Sequence, residues 1–233
     1  MDLTPPRPAG RPPRPLGTCL WNFAPSRESR GGSAWWLQDA SGGVLVDVPA
    51  WTEANLAFLR QQPDGLILLT HRGNHGRCRH FQEALGWAVW VQEQEAYLLP
   101  GVRRLHTFGE AAALSSTLKL LWTPGHSPGS AVLHWSGARN LLFCGRTLLP
   151  RSDGSAAPLR TVLTFHWGRQ LASIAALRHW PAAGEPDNIA CGAGLGALRG
   201  AHLVSNGAAV LQALDLQMLA SVAPGPAFAS VSS

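Results

Sequence analysis

The octapeptide Thr123-Pro124-Gly125-His126-Ser127-Pro128-Gly129-Ser130 constrains this chain more than any other stretch. Two prolines lock the backbone at their own positions, and two glycines permit the turns that other residues resist. The conformation around His126 is therefore close to prescribed, and it aims the imidazole inward. An apolar strand at 118–122 feeds this turn. Strands at 130–135 and 140–144 follow, paired around the turn Ser136-Gly137-Ala138-Arg139. The later strand runs into Leu142-Phe143-Cys144-Gly145-Arg146-Thr147-Leu148, so an arginine sits on a glycine turn at the end of an apolar run.

The remaining blocks alternate in period. Strands are expected at 33–38 and 44–48, joined by Ser41-Gly42-Gly43, then at 66–69, 88–92, 103–108 and 188–190. Helices are expected at 52–60 with Thr52 as N-cap, at 80–85 stopping on Gly86, at 169–180, and as one long apolar helix over 203–222. Strand–helix blocks in each half suit a β core with helices outside, an αββα layering. At 233 residues the chain suits one domain, expected over 17–223. A Pro/Arg-rich flexible tail is expected at 1–16, and a flexible Ala/Pro/Gly/Ser tail at 224–233.

Composition removes several function classes. Basic residues are 18 Arg and one Lys, scattered rather than gathered in a stripe with exposed aromatics, so the net +5 is not read as a nucleic-acid surface. The segment 203–222 carries Asn206, Gln212, Asp215 and Gln217 and does not read as a membrane span. Cys19, Cys78, Cys144 and Cys191 are widely spaced, which fits reduced thiols and a soluble, cytoplasmic protein. No nucleophile elbow, phosphate loop or dinucleotide fingerprint is present.

The motifs resemble those of the metallo-β-lactamase superfamily, closest to its small branch of glyoxalase-II-like thioesterases, over roughly 35–194. The resemblance implies an α/β (α+β) fold, a four-layer αββα metallo-β-lactamase-like sandwich. It also implies that Asp47, in Leu45-Val46-Asp47, lies beneath the metal-binding loop and orients it through hydrogen bonds. The family loop T-H-x-H-x-D-H appears as Thr70-His71-Arg72-Gly73-Asn74-His75-Gly76. With one residue deleted, Asn74 stands for the aspartate and His75 for the histidine after it. Asn74 keeps an acceptor oxygen but lacks the charge and basicity to hold or deprotonate a water. His126 matches the turn histidine. Arg146 stands where the family places its bridging aspartate, and Ala193, in Cys191-Gly192-Ala193-Gly194, where it places the last histidine.

Of the seven ligand positions in the family pattern, His71, His75 and His126 remain. A catalytic zinc site needs three protein ligands and an open position. A guanidinium about 4 Å from a divalent ion opposes it by about 8 kcal/mol at an effective dielectric of ~20. Cys144, next to the turn, and His166, ahead of the helix at 169–180, are further pocket candidates; Cys78 and His80 read as a buried thiol and a surface imidazole. The resemblance thus implies hydrolase ancestry with most metal ligands lost. The expected function is non-hydrolytic binding or regulation through a cationic pocket, without a metal cofactor. Its partner would be a small anionic ligand or a protein, not nucleic acid and not a membrane. The alternative is a hydrolase of an ester or thioester substrate with one zinc ion on His71, His75 and His126.

Overall fold

The computed structural model describes residues 4–8 and 10–226. The chain, expected as one domain over 17–223, divides into two compact units, Met1–Phe108 and Gly109–Ser233.

In the first unit, seven strands form one sheet in chain order: Arg14–Pro15 (β1), Leu20–Asn22 (β2), Trp35–Asp39 (β3), Gly42–Val46 (β4), Gly65–Leu69 (β5), Ala88–Gln92 (β6) and Leu105–Phe108 (β7). The first four pair antiparallel; β4 through β7 run parallel. Parallel neighbours need crossovers. Helices Glu53–Arg60 (α1) and Cys78–Leu85 (α2) lie in the β4–β5 and β5–β6 connections. α1 begins where expected, with the Thr52 side chain accepting from the Asn55 amide at 3.3 Å. α2 stops on Gly86, which takes the left-handed conformation at φ 71°.

The core of this unit is built around Trp36, fully buried and stacked on Trp87 with ring centroids 5.1 Å apart. The indole fits because Gly43 and Gly65, paired across β4 and β5, leave it room. A Cβ at Gly43 would fall 1.9 Å from Trp36 Cη2, and one at Gly65 2.8 Å from the same atom. Gly43→Ala is therefore expected to destabilise the fold by about 2 kcal/mol through overpacking. Chemical denaturation would show this as a lower midpoint, and an unshifted midpoint would contradict the packing role.

The stretch expected as an N-terminal tail makes specific contacts. Arg7 exchanges backbone hydrogen bonds with Trp51 and Glu53 and pairs through its guanidinium with Glu28 at 3.1 Å. Thr4 O accepts from Trp51 Nε1 at 2.8 Å. Residues 1–3 and 9 of that expectation lie outside the described residues.

The second unit holds a six-stranded sheet in which the last two strands in sequence lie beside the fourth and the first lies at the far edge. Its strands are Ala111–Ala113 (β8), Leu118–Trp122 (β9), Ala131–Ser136 (β10), Asn140–Gly145 (β11), Asn188–Cys191 (β14) and Val204–Ser205 (β15). A separate short pair joins Leu149–Pro150 (β12) to Ala156–Ala157 (β13). Of these strands, β11 and β14 pair in parallel, with helix Trp167–Leu177 (α3) lying between them in sequence.

The single helix expected over 203–222 is replaced by β15 and two short helices, Gly207–Ala213 (α4) and Leu216–Ala220 (α5). Leu214 is extended, and the Asp215 carboxylate accepts from the Gln217 and Met218 amides, starting a new helix where an unbroken one was expected. The carboxylate competes with the helix for those amides, and it wins at an exposed position. Of the expected C-terminal tail, Gly225 pairs with 160–162, and 227–233 lie outside the described residues. The four cysteines form no disulfide, and no helix among the described residues is long and apolar enough to cross a membrane.

Candidate functional site

In the first unit the site residues gather at the carboxyl ends of β4 and β5. β5 ends in Thr70-His71, and a one-turn 3₁₀ helix, Arg72–Asn74, follows. Asp47 lies beneath this loop with its backbone at φ 60°, a left-handed position that Asp tolerates better than most residues. Its carboxylate accepts from Thr70 N at 2.8 Å, from Thr70 Oγ1 at 2.8 Å and from Asn74 Nδ2 at 2.7 Å. All three residues are buried. A carboxylate accepts only, so the Asn74 amide must turn its nitrogen toward Asp47 and its oxygen away. That oxygen faces the Gly32 backbone, where a Cβ would come within 2.2 Å of it.

His71 shapes the loop as well. Its Nδ1 accepts from Gly73 N at 3.0 Å, capping the 3₁₀ turn. His75 is buried, and burial pushes its imidazole down to about 4, so it is neutral near pH 7. Its Nε2 lies 3.8 Å from Oε2 of Glu95, a buried carboxyl on the 3₁₀ segment Glu93–Leu98. Cys78 follows the loop as a buried thiol, pushed up to about 12 by burial and then by the charge of Asp47. His80 packs half-buried, edge-on against Trp51.

The second unit carries the other site residues on two turns. Gly125, at φ 149°, lies so close to α3 that a Cβ would fall 2.3 Å from Gln170 Cα. The turn is bolted to that helix: His166 N donates to Gly125 O at 2.9 Å, and Ser173 Oγ donates to Pro124 O at 2.8 Å. Ser127 N donates to Ser130 Oγ at 2.9 Å and closes the turn on itself. His126 is thereby held on a rigid loop, half-buried.

Arg146 lies just beyond β11, only 9% exposed. Thr147 N donates back to Cys144 O, and Gln170 Nε2 donates to Thr147 O at 3.0 Å, fixing this turn to the same helix. The hydroxyls of Thr123 and Thr147 lie 3.4 Å apart and link the two turns. Gly192 N donates to Gly145 O at 2.6 Å, which brings buried Ala193 beside the Arg146 turn with no donor atom on its side chain.

Cys144 contacts the Cys191 thiol at 3.7 Å, and the Cys191 thiol is raised well above its usual range by that contact and by burial. His166 is exposed and serves as the N-cap of α3, with Nδ1 accepting from Arg169 N at 3.1 Å. Among the described residues, no group of three or more His, Cys, Asp or Glu side chains is placed to hold a metal ion.

Sequence reasoning missed Glu95, Gln170 and the pairing of Cys144 with Cys191. Glu95 lies 20 positions from His75 with no intervening pattern, and the thiols meet only because β11 and β14 pair in parallel. Gln170 was legible only as a polar residue on an amphipathic helix.

No family model matches the chain, and no curated protein does. Solved structures do match. A metallo-β-lactamase superfamily protein, ST1585 from Sulfolobus tokodaii, is 16% identical, with 82% of this chain and 81% of that one covered at a TM-score of 0.58. TTHA1623, solved in a di-iron-bound form, is 23% identical over 76% of this chain and 91% of that one, at 0.58. A metallo-β-lactamase from Erythrobacter litoralis is 15% identical over 87% and 96%, at 0.61. At these identities the likeness speaks for architecture, and it agrees with the mixed sheets and helices described above: the chain has the metallo-β-lactamase fold, of α+β class.

Proposed function

We propose that this is a metallo-β-lactamase-fold binding protein without a resident metal, which uses Arg146 to receive an anionic small molecule or an anionic group of a protein partner. The observation that carries this reading is the buried guanidinium of Arg146 on the turn after β11, beside Ala193. A metal site fits the residues present poorly. In the second unit Arg146 brings a cation and Ala193 brings nothing; in the first, Asn74 directs its amide nitrogen to Asp47. His71 Nδ1 is taken by its own loop. A planar guanidinium suits a carboxylate or phosphate, which it can grip through two parallel hydrogen bonds.

The test is ligand-induced stabilisation of the full chain by inorganic phosphate and small dicarboxylates, compared with Arg146→Met. An anion that raises Tm in the native chain should lose at least tenfold in apparent affinity in the variant, since a charge-assisted pair contributes about 1.5–3 kcal/mol. Equal affinity in both would overturn the assignment.

One observation favours a second reading, a single-zinc hydrolase acting on an ester or thioester through His71, His75 and His126. The His75 imidazole is neutral near pH 7, the state a metal requires. That reading requires esterase activity that a chelator abolishes.

A further inference from the structure

Among the described residues, six of the eight large apolar side chains left exposed belong to two neighbouring segments of the second unit: Leu159, Val162, Leu163 and Phe165, with Met218 and Val222. The segments are joined. Val162 N donates to Gly225 O, Gly225 N donates to Arg160 O, and the Arg160 guanidinium bonds Val222 O. Trp167 Nε1 reaches Leu219 O at 2.9 Å beneath them.

The tip of this surface is a tight turn. Thr164 N donates to Thr161 O at 3.0 Å, Thr161 N donates to Thr164 Oγ1 at 2.9 Å, and Leu163 N donates to Thr161 Oγ1 at 3.2 Å. Its two central positions are Val162 and Leu163, 65% and 59% exposed. Gly, Pro, Asn, Asp and Ser favour such positions for backbone reasons, so Val-Leu gains nothing from the turn itself. The threonine side chains hold the turn firmly, and it presents two branched apolar groups to solvent.

Every charged side chain within 154–184 is an arginine. Arg160 lies over the Trp167 ring at 5.9 Å, Arg169 is exposed on the first turn of α3, and 154–184 contain no acidic residue. On the other segment Asp215 is exposed at the start of α5, and 216–226 carry no charged side chain.

We infer that this turn and α5 form an interfacial docking surface for anionic lipid. Val162 and Leu163 would enter the headgroup–acyl boundary, while Arg160 and Arg169 meet lipid phosphates. A second copy of the chain fits less well, because a self-complementary contact would bring like guanidinium groups together. An acidic helix would need a groove to lie in, and this tip is a protruding turn. A lipid interface demands no matching shape. The expectation of no membrane partner rested on the lack of a spanning segment, and surface docking needs none.

The test is flotation of the full chain with phosphatidylcholine vesicles, with and without phosphatidylglycerol, at low and high salt. The expected result is association with the anionic vesicles that weakens with salt. It should drop about tenfold or more in Val162→Asp/Leu163→Asp, and also drop in Arg160→Gln/Arg169→Gln. The four substituted side chains are exposed or half-buried, and thermal melts of both variants confirm folding. Absence of flotation with either vesicle overturns the inference, as does flotation that the aspartate variant retains. A concentration-dependent dimer abolished by the aspartate pair, or binding to polyglutamate without vesicle binding, would also overturn it, assigning the surface to a second copy or an acidic protein.

Discussion

Replacing Asp47 with alanine is expected to destabilise the first unit by about 4 kcal/mol, the largest loss for any single side chain at the loop. Three buried donors, Thr70 N, Thr70 Oγ1 and Asn74 Nδ2, all end on this one carboxylate. Each left without a partner costs about 1–3 kcal/mol, partly offset because the buried charge leaves with the carboxylate. The left-handed backbone at 47 adds to the loss, since alanine resists φ 60° more than aspartate does.

Asp47→Asn separates these contributions. Its oxygen can still accept from Thr70 N, and its new amide can be met by Asn74 if that side chain turns its oxygen inward. About half the loss should be recovered. Urea denaturation of both variants checks this, and equal stability of Asp47→Ala and the native chain would remove Asp47 as the hub of the loop.

The second large effect is on pH dependence. The His75 imidazole takes its proton near 6.5 when unfolded and only near 4 when folded, because burial disfavours its charged form. Between these values the unfolded chain binds the extra proton, so stability falls as pH falls. The contribution is fully present above about 6.5, is lost progressively down to about 4, and amounts to about 3 kcal/mol in total. Glu83 and Asp153, also held low, are exposed and add little. Stability of the native chain minus that of His75→Gln, followed from pH 7.5 to 3.5, should show this slope and flatten below it. A difference independent of pH would mean that the imidazole titrates normally.

What the sequence made legible was local. The Pro-Gly-His-Ser-Pro-Gly turn has the shape its residues demand, because Gly125 must lie against Gln170 and the serines close the loop. Asn74 Nδ2 donates to the Asp47 carboxylate at 2.7 Å, a contact within one loop and the strand end beneath it. The less legible features depend on contacts between distant parts of the chain. Glu95 reaches His75 through the connection after β6. The break at Leu214 follows from a single exposed aspartate within an otherwise helical pattern, and apolar periodicity outweighed it in the sequence. The N-terminal prolines read as unstructured, yet Trp51 supplies the N–H that anchors Thr4.

We propose that Arg146 and Ala193 stand where a metal centre would need ligand atoms. Elemental analysis tests this most directly. The purified chain would be equilibrated with zinc, iron and manganese and then freed of unbound ions by gel filtration. The expected result is no stoichiometric metal in the native chain and a gain in metal affinity in Arg146→Asp. A stoichiometric ion retained by the native chain and released by His126→Ala would contradict it.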